Sequence, residues 1–476
     1  MMYIDGEWKA AQSGSSFNSL NPATGEVIGE VPDAAEPDIE DAITAAHLAF
    51  DKWAKTTAYY RAEKLKACAE NVMSRRAEIA DLMCQEQGKP RKAALNEVGY
   101  AADFLTWYGE EAKRSFGQTI PSARADQRFV TINEPVGVVA AITPWNYPVS
   151  MITRKLAPAL AAGCTVVLKP AESTPLCAIA MFQAMADADI PPGVINMVTT
   201  SKPKVAGDLF LKDSRIKKIT FTGSTAVGRY LAGEAGRSFK RISLELGGHA
   251  PFIVFEDADP VHAAKGVALV KFLNTGQACI SPNRIFVHES LLPAFVDTLS
   301  QRINNLKAGQ GIEEGVSIGP LINQAAIDKV SHQVQDAVEK GANLVCGGSQ
   351  LTDSGLDKGC FFAPTLLTGV SPSMKIYREE TFGPVAPVIS FNDKDDIYSM
   401  ANDTHYGLAA YAYTQSISRA YEAMENLRFG IIGINDINPT SAAVPFGGMQ
   451  ESGLGREGGW QGLKEYLETK SVGISV

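Results

Sequence analysis

Ile219-Thr220-Phe221-Thr222-Gly223-Ser224-Thr225-Ala226-Val227-Gly228 runs from an apolar, β-prone stretch through a glycine turn into a helix-forming segment. Such a turn directs backbone N–H groups and the positive end of a helix dipole at one point, which suits a pyrophosphate. The same unit repeats outward from it. Residues 136–142, 165–168, 194–198 and 218–221 read as short buried strands, with residues 150–162 and 175–187 as helices between them. That alternation predicts a parallel α/β sheet.

Beyond Gly248 the alternation restarts. Residues 251–255 and 284–288 are strand-like, and 291–306 and 323–340 are helical, so a second α/β unit is expected, joined to the first around Gly247-Gly248. Residues 38–111 carry Ala, Leu, Glu and Lys at helical spacing, broken at Gly88-Lys89-Pro90. Residues 128–133 alternate polar and apolar, as a strand does. A chain of 476 residues is long for one core, so two or three domains are expected.

A net charge of −9 argues against binding nucleic acid or an anionic membrane face through global charge. The N-terminal MMYIDGEWKA has no basic or apolar leader region, and the longest apolar stretch, 156–168, contains Pro158 and Gly163 and is too short to span a bilayer. A cytoplasmic protein is expected, with no nucleic-acid or membrane partner. Cys68, Cys84, Cys164, Cys177, Cys279, Cys346 and Cys360 form no CxxC pair and are odd in number, which fits reduced thiols. The six histidines make neither HxH nor HxxxH, so no metal site is readable.

Three short motifs carry chemistry. Phe272-Leu273-Asn274-Thr275-Gly276-Gln277-Ala278-Cys279 ends an apolar stretch in a tight polar turn and a thiol. Leu244-Glu245-Leu246-Gly247-Gly248 embeds a carboxylate between leucines, and Pro144-Trp145-Asn146-Tyr147-Pro148 pins an amide between prolines and aromatics. Nucleophile, base and amide donor are the parts needed for acyl chemistry on a carbonyl.

Together these motifs resemble those of the aldehyde dehydrogenase superfamily, from Tyr3 to the C-terminus, and in particular its NAD(P)-dependent succinate-semialdehyde dehydrogenases. The resemblance implies the α/β aldehyde dehydrogenase fold. Residues 1–117 and 135–247 would form a Rossmann-like NAD-binding domain, 248–446 an α/β catalytic domain, 118–134 and 461–476 a small β oligomerisation arm, and 447–460 a return segment. In that arm the stretch 118–134 would pair with the tail at 468–475, and the protein would be a homodimer or homotetramer.

The resemblance also implies NAD as cofactor, with NADP possible. Gly223 and Ser224 match the family's Gly-Ser-Thr-x-x-Gly turn, and Thr143, Pro144 and Trp145 belong to the same site. Lys169 and Glu172, in Val167-Leu168-Lys169-Pro170-Ala171-Glu172, would hold the adenosine ribose, and Glu172 would repel a 2′-phosphate. Glu380 and Phe382 match contacts to the nicotinamide ribose.

The implied reaction is oxidation of a small aldehyde to its acid. Cys279 as thiolate would attack the carbonyl carbon, with the oxyanion held by the Asn146 amide and the Cys279 N–H. Hydride would leave for the nicotinamide, and Glu245 would activate water to hydrolyse the thioester. A free thiol is little ionised at neutral pH, so a lowered pKa or a base is needed. The leucines beside Glu245 predict a desolvated carboxyl with raised pKa. CoA-acylating relatives lack this Glu, so Glu245 points to hydrolysis. Ser281 stands where some succinate-semialdehyde relatives carry a second Cys that closes a redox-switch disulfide, a bond this chain cannot form.

For the substrate, Arg154 lies on the helix of Val149-Ser150-Met151-Ile152-Thr153-Arg154-Lys155. With Ser441 and Phe446, near Pro445-Phe446-Gly447-Gly448, it resembles the succinate-semialdehyde set, where a guanidinium pairs with a distal carboxylate. An arginine on the helix surface is the other reading. Leu273 replaces a second carboxylate-binding Arg, which points to a weaker hold on succinate semialdehyde, or to glutarate semialdehyde or a neutral aliphatic or aromatic aldehyde.

Two readings belong to other classes. Gly315-Val316-Ser317-Ile318-Gly319 matches the GxSxG of serine hydrolases, with His332 and His405 downstream, but lacks the strand and helix that such an elbow needs. A catalytically silent binding protein is the other; the presence of Cys279, Glu245, Asn146 and Lys169 speaks against it. Gly453-Leu454-Gly455-Arg456-Glu457-Gly458 satisfies GxGxxG on paper and is expected to be a loop.

Overall fold

The computed structural model describes residues 1–353 and 355–476. An eight-stranded sheet runs in the order Glu7–Lys9, Met2–Ile4, Ile195–Met197, Thr165–Lys169, Val138–Ile142, Ile216–Thr222, Arg241–Glu245, Gly453–Leu454. Five successive strands, from Ile195–Met197 to Arg241–Glu245, are parallel, and Met2–Ile4 beside them is antiparallel. Alternate residues serve opposite faces, and both faces are buried: Val139, Ala141 and Leu168 pack on one side, Val138, Ala140 and Val167 on the other. This explains why the strands read as continuous apolar runs. The helices Ser150–Ala162 and Pro175–Ala186 lie where the sequence put them.

Chain order reverses between Val138–Ile142 and Ile216–Thr222: successive strands leave the first of these in opposite directions. A crevice opens beyond the carboxyl ends of strands at such a switch point, the usual place for a nucleotide. Here those ends deliver Thr143 to Asn146 and Gly223-Ser224.

A second sheet of seven strands takes Asn343–Cys346, Thr365–Thr368, Val385–Phe391, Pro282–His288, Ala250–Val254, Ala409–Tyr413 and Ile431–Ile434 in that order. All but the first-named edge strand are parallel. Phe252, Val254 and Ile285 fill one face, and Ile253, Phe286 and Ala410 the other. Gln127–Pro135 pairs antiparallel with Leu467–Ser475 along nine residues, with Thr119–Ile120 beyond.

Two sequence readings need correction. The stretch expected to be a loop at Gly453–Gly458 contributes Gly453–Leu454 as an edge strand, antiparallel to Leu244 and Glu245. A strand of two residues has no periodicity to read. The helical region at 38–111 is four helices, Glu36–Ala54, Ala58–Ser74, Arg76–Glu86 and Arg91–Ala112, of which Gly88-Lys89-Pro90 separates only the last two. Among the described residues no helix is long and apolar enough to cross a membrane.

Candidate active site

Cys279 lies just before the strand Pro282–His288, and Glu245 ends the strand Arg241–Glu245 of the other sheet. Gly247 and Gly248 bridge the two. A Cβ on Gly248 would sit 2.3 Å from the Cys279 carbonyl oxygen, so only glycine lets the link pass the thiol loop this closely. The loop is bent through three successive left-handed residues, Asn274 (φ 49°), Thr275 (φ 58°) and Gly276 (φ 74°). Non-glycine residues hold such angles only when their surroundings over-determine them. Here Thr275 Oγ1 donates to the Gly319 carbonyl and accepts from the Gly319 N–H, both at 3.0 Å. Gln277 Nε2 donates to the Pro320 carbonyl (3.2 Å), and its Oε1 accepts from the Ile322 N–H (3.0 Å).

Asn146 is tied to this loop from both ends. Its carbonyl accepts from Asn274 Nδ2 at 3.0 Å, and its own Nδ2 donates to the Gln277 carbonyl at 3.0 Å. One amide proton of Asn146 remains. Among the described residues the Cys279 N–H has no backbone acceptor.

The electrostatics raise both the thiol, which disfavours the lowered-pKa alternative, and the carboxyl, as its flanking leucines led one to expect. Burial pushes Cys279 up to about 12, against the pull of the Arg154 charge, and Glu245 and Glu380 push it further. A resident thiolate is therefore not built into the free protein. Burial, then Glu457, drive the Glu245 carboxyl well above the usual range, against Arg154 and Lys155. Its Oε2 is buried with no partner.

On the nucleotide side, Ser224 caps the helix Thr225–Arg237, accepting from the Val227 N–H at 3.4 Å. A Cβ on Gly223 would meet the Phe221 ring at 2.4 Å. Lys169 and Glu172 are paired at 2.6 Å, with Lys169 buried and Glu172 reaching out. Burial raises Glu172, but the Lys169 ammonium outweighs it and holds the carboxyl below its usual value. The Thr143 N–H donates to the Lys169 carbonyl (3.2 Å), joining the two strand ends. The Trp145 ring stands edge-on to Phe382, centroids 5.6 Å apart, and Glu380 Oε1 accepts from the Gly248 N–H at 2.9 Å. A long helix N-terminus, a paired Lys–Glu at a strand end and a carboxylate beside Gly248 form a donor set that fits a dinucleotide.

Arg154 is 2% exposed, so the surface reading of this residue is excluded. Its guanidinium lies 4.1 Å from the Phe446 ring centroid and Nη2 donates to the Tyr100 hydroxyl at 3.2 Å. Ser441 is exposed, and no hydrogen bond joins its side chain to Arg154.

The aldehyde dehydrogenase family profile matches residues 8–472. A glutarate-semialdehyde dehydrogenase of Pseudomonas putida is 46% identical, covering 100% of this chain and 97% of its own. An NADP(+)-linked succinate-semialdehyde dehydrogenase of Escherichia coli is 45% identical over 99% of this chain and 97% of its own. The crystal structure of a succinate-semialdehyde dehydrogenase from Burkholderia pseudomallei superposes with a TM-score of 0.97 at 45% identity, covering 100% of this chain and 98% of that one.

The chain belongs to the aldehyde dehydrogenase family.

As an aldehyde dehydrogenase it is an oxidoreductase that uses NAD(P), which removes the hydrolase and silent-protein readings. The geometry agrees. Ser317 Oγ bonds the Lys307 main chain, His332 meets Lys375 (3.2 Å), and the His405 ring lies against Tyr406 (4.1 Å).

Sequence reasoning missed three groups at this dehydrogenase site. Glu457 lies inside the discarded GxGxxG stretch. It binds Lys155 Nζ at 2.6 Å and faces Arg154 Nε at 3.9 Å. Tyr100 and Phe104 sit one turn apart on the helix Arg91–Ala112 and flank the guanidinium. Lys89 reaches the Asn146 carbonyl. None has a local signal, because each is brought in from a distant part of the chain. The fold also gathers Glu256, His288 and Asp393, which no spacing rule could pair, with one ligand atom each inside 4.8 Å. Glu256 already binds Arg419 (2.6 Å), and Asp393 is exposed.

Proposed function

We propose that this enzyme oxidises a short aldehyde bearing a distal carboxylate, succinate semialdehyde foremost, to the corresponding acid. The observation that carries this reading is Arg154, whose Nε and Nη1 have no hydrogen-bond partner although the residue is buried. Buried guanidinium nitrogens without acceptors are costly, even with Glu457 3.9 Å from Nε, and a substrate carboxylate would supply the missing hydrogen bonds. Phe446, under the guanidinium, keeps the charge aimed.

In this reading the thiolate form of Cys279, its proton given up to solvent water, attacks the aldehyde carbon. The free amide proton of Asn146 and the Cys279 N–H stabilise the oxyanion, and bound NAD(P) supplies the hydride acceptor. Lys169, Glu172, Gly223, Ser224, Glu380 and Phe382 would hold that cofactor, with Thr143, Pro144 and Trp145 shaping the wall beside them. Glu172 favours NAD over NADP, since a 2′-phosphate would face its charge. The resulting Cys279 thioester is hydrolysed by water that Glu245 deprotonates.

A longer ω-carboxylate such as glutarate semialdehyde is the second reading. Leu273 offers no charge where a second arginine would shorten the reach. We read the division of the chain into cofactor, catalytic and arm segments as the sequence laid it out. The nine-residue ribbon, with Ile132 and Ile474 exposed, supports a homodimer or homotetramer. The unpaired cysteines support a cytoplasmic setting.

The test is NADH and NADPH formation with succinate semialdehyde, glutarate semialdehyde, a neutral aliphatic aldehyde and benzaldehyde. Preference for the ω-carboxylates is expected. A neutral or aromatic aldehyde turning over best would remove Arg154 from the substrate site.

A further inference from the structure

Gly88-Lys89-Pro90 separates the helices Arg76–Glu86 and Arg91–Ala112, and its lysine is 1% exposed. The Lys89 ammonium forms an ion pair with Glu97, equally buried two turns along the second helix. It donates to the Asn146 carbonyl at 2.9 Å and lies 4.0 Å from the Tyr147 ring centroid. Three ammonium protons thus meet a carboxylate, a carbonyl and a π face. Glu97 Oε1 in turn accepts from the N–H groups of Val149 (3.0 Å) and Ser150 (3.1 Å), at the start of the helix that carries Arg154.

The segment itself is clamped from the second sheet's side. The Arg91 N–H donates to the Gly311 carbonyl at 2.8 Å, and a Cβ on Gly319 would lie 1.9 Å from the Gly88 carbonyl. Gly319 is also the residue that Thr275 grips. Lys89 therefore stands on a fixed base shared with the Cys279 loop.

A buried ion pair is a weak source of stability, because desolvation offsets the attraction. What this pair supplies is direction. The bonds from Asn274 and to Gln277 tie Asn146 to the thiol loop, and would move with it. The bond from Lys89 ties Asn146 to the helical layer beneath Arg154. We propose that Lys89 is a positioning residue: it fixes the Asn146 main chain so that the side-chain amide points at the carbonyl attacked by Cys279, with Glu97 holding the ammonium in place. This rests on the reading of Asn146 as the oxyanion donor.

The experiment is a double-mutant cycle read by the pre-steady-state NADH burst, with NAD affinity from tryptophan fluorescence as a control. Lys89→Met is expected to slow the burst at least about tenfold, as misplacement of a catalytic group by an ångström or less does. NAD affinity stays unchanged, and Lys89→Arg recovers part of the rate. In the Asn146→Ala background the same substitution should add less than about twofold, since coupled residues are not additive. Because Lys89→Met strands a buried carboxylate, Lys89→Met with Glu97→Gln is the second variant, expected to slow the burst equally. An unchanged burst in either folded variant, or full additivity with Asn146→Ala, overturns the inference. If Asn146→Ala itself leaves the burst intact, the oxyanion reading fails first, and the inference falls with it.

Discussion

The Arg154 guanidinium stacks 4.1 Å over the Phe446 ring, and its charge pulls down the pKa values of both Cys279 and Glu245. Glu457 Oε2, its nearest carboxylate, stands 3.9 Å from Nε, beyond hydrogen-bond distance, and is committed to Lys155 through its other oxygen. A hydrogen bond to a charged group contributes about 1.5–3 kcal/mol. Arg154→Met should therefore raise KM for succinate semialdehyde roughly 10- to 100-fold. KM for a neutral aldehyde should move less than about threefold. Steady-state kinetics with both substrates check it, and an equal effect on both sinks the assignment.

Glu245 predicts a split between chemistry steps and a gain in stability. Glu245→Gln should keep a burst of NADH of about one per active site and lose steady-state turnover by about 10²-fold or more, the usual range for a general base. Burial and Glu457 raise the folded-state pKa of Glu245 above its unfolded value. Between those two values the folded protein binds the extra proton, so stability falls as pH rises through that window. Glu245→Gln removes that slope. Its melting temperature should exceed the parent's at neutral pH. The two should converge in acid, below the unfolded carboxyl pKa. Calorimetry at both pH values decides it.

Cys279 reverses the usual expectation for a nucleophilic thiol. With its pKa pushed up to about 12 by burial, the free enzyme holds little thiolate at neutral pH. Alkylation of Cys279 by iodoacetamide should rise about tenfold per pH unit from roughly pH 7 to 10, because the thiolate is the reacting form. Arg154→Met should slow it at every pH, since the arginine charge is the force that pulls the pKa down. Peptide mass spectrometry separates Cys279 from Cys346 and Cys360. A plateau reached near neutrality would contradict this environment.

The two sheets were legible because their strand–helix alternation is written locally, whereas the switch point is a matter of strand order that no local stretch carries. Ile219–Gly228 carries strand, turn and helix in one stretch, and Asn274-Thr275-Gly276 announces its bend by composition. Of the two routes left open for the thiol, a lowered pKa or a base, the eight residues around Cys279 could not choose, because burial is a tertiary property. Ser441 was grouped with Arg154 by motif alone, and it lies exposed without a bond to it. Lys89 read only as part of a helix break, and Glu97 was not singled out, because their partners, Asn146 and Ser150, stand more than fifty positions away. Glu457 was set aside with a spurious glycine motif, yet it shapes the charges of Arg154 and Glu245.

Leu273 offers the sharpest test of chain-length preference. It precedes Asn274, the residue that anchors the thiol loop to Asn146, and it is 45% exposed. Leu273→Arg therefore replaces a solvated side chain, and its effect on stability should stay within about 0.5 kcal/mol. A second guanidinium near the site would add an attraction for a substrate carboxylate that a neutral aldehyde cannot use. kcat/KM for succinate semialdehyde should rise about tenfold, the lower end expected for a charged hydrogen bond. Activity on a neutral aliphatic aldehyde should fall, because apolar contact with Leu273 is lost. The glutarate to succinate ratio should drop in the same assay. If Leu273→Arg leaves all three substrates unchanged, position 273 does not face the substrate. Chain length would then be set by Arg154 and Phe446 alone.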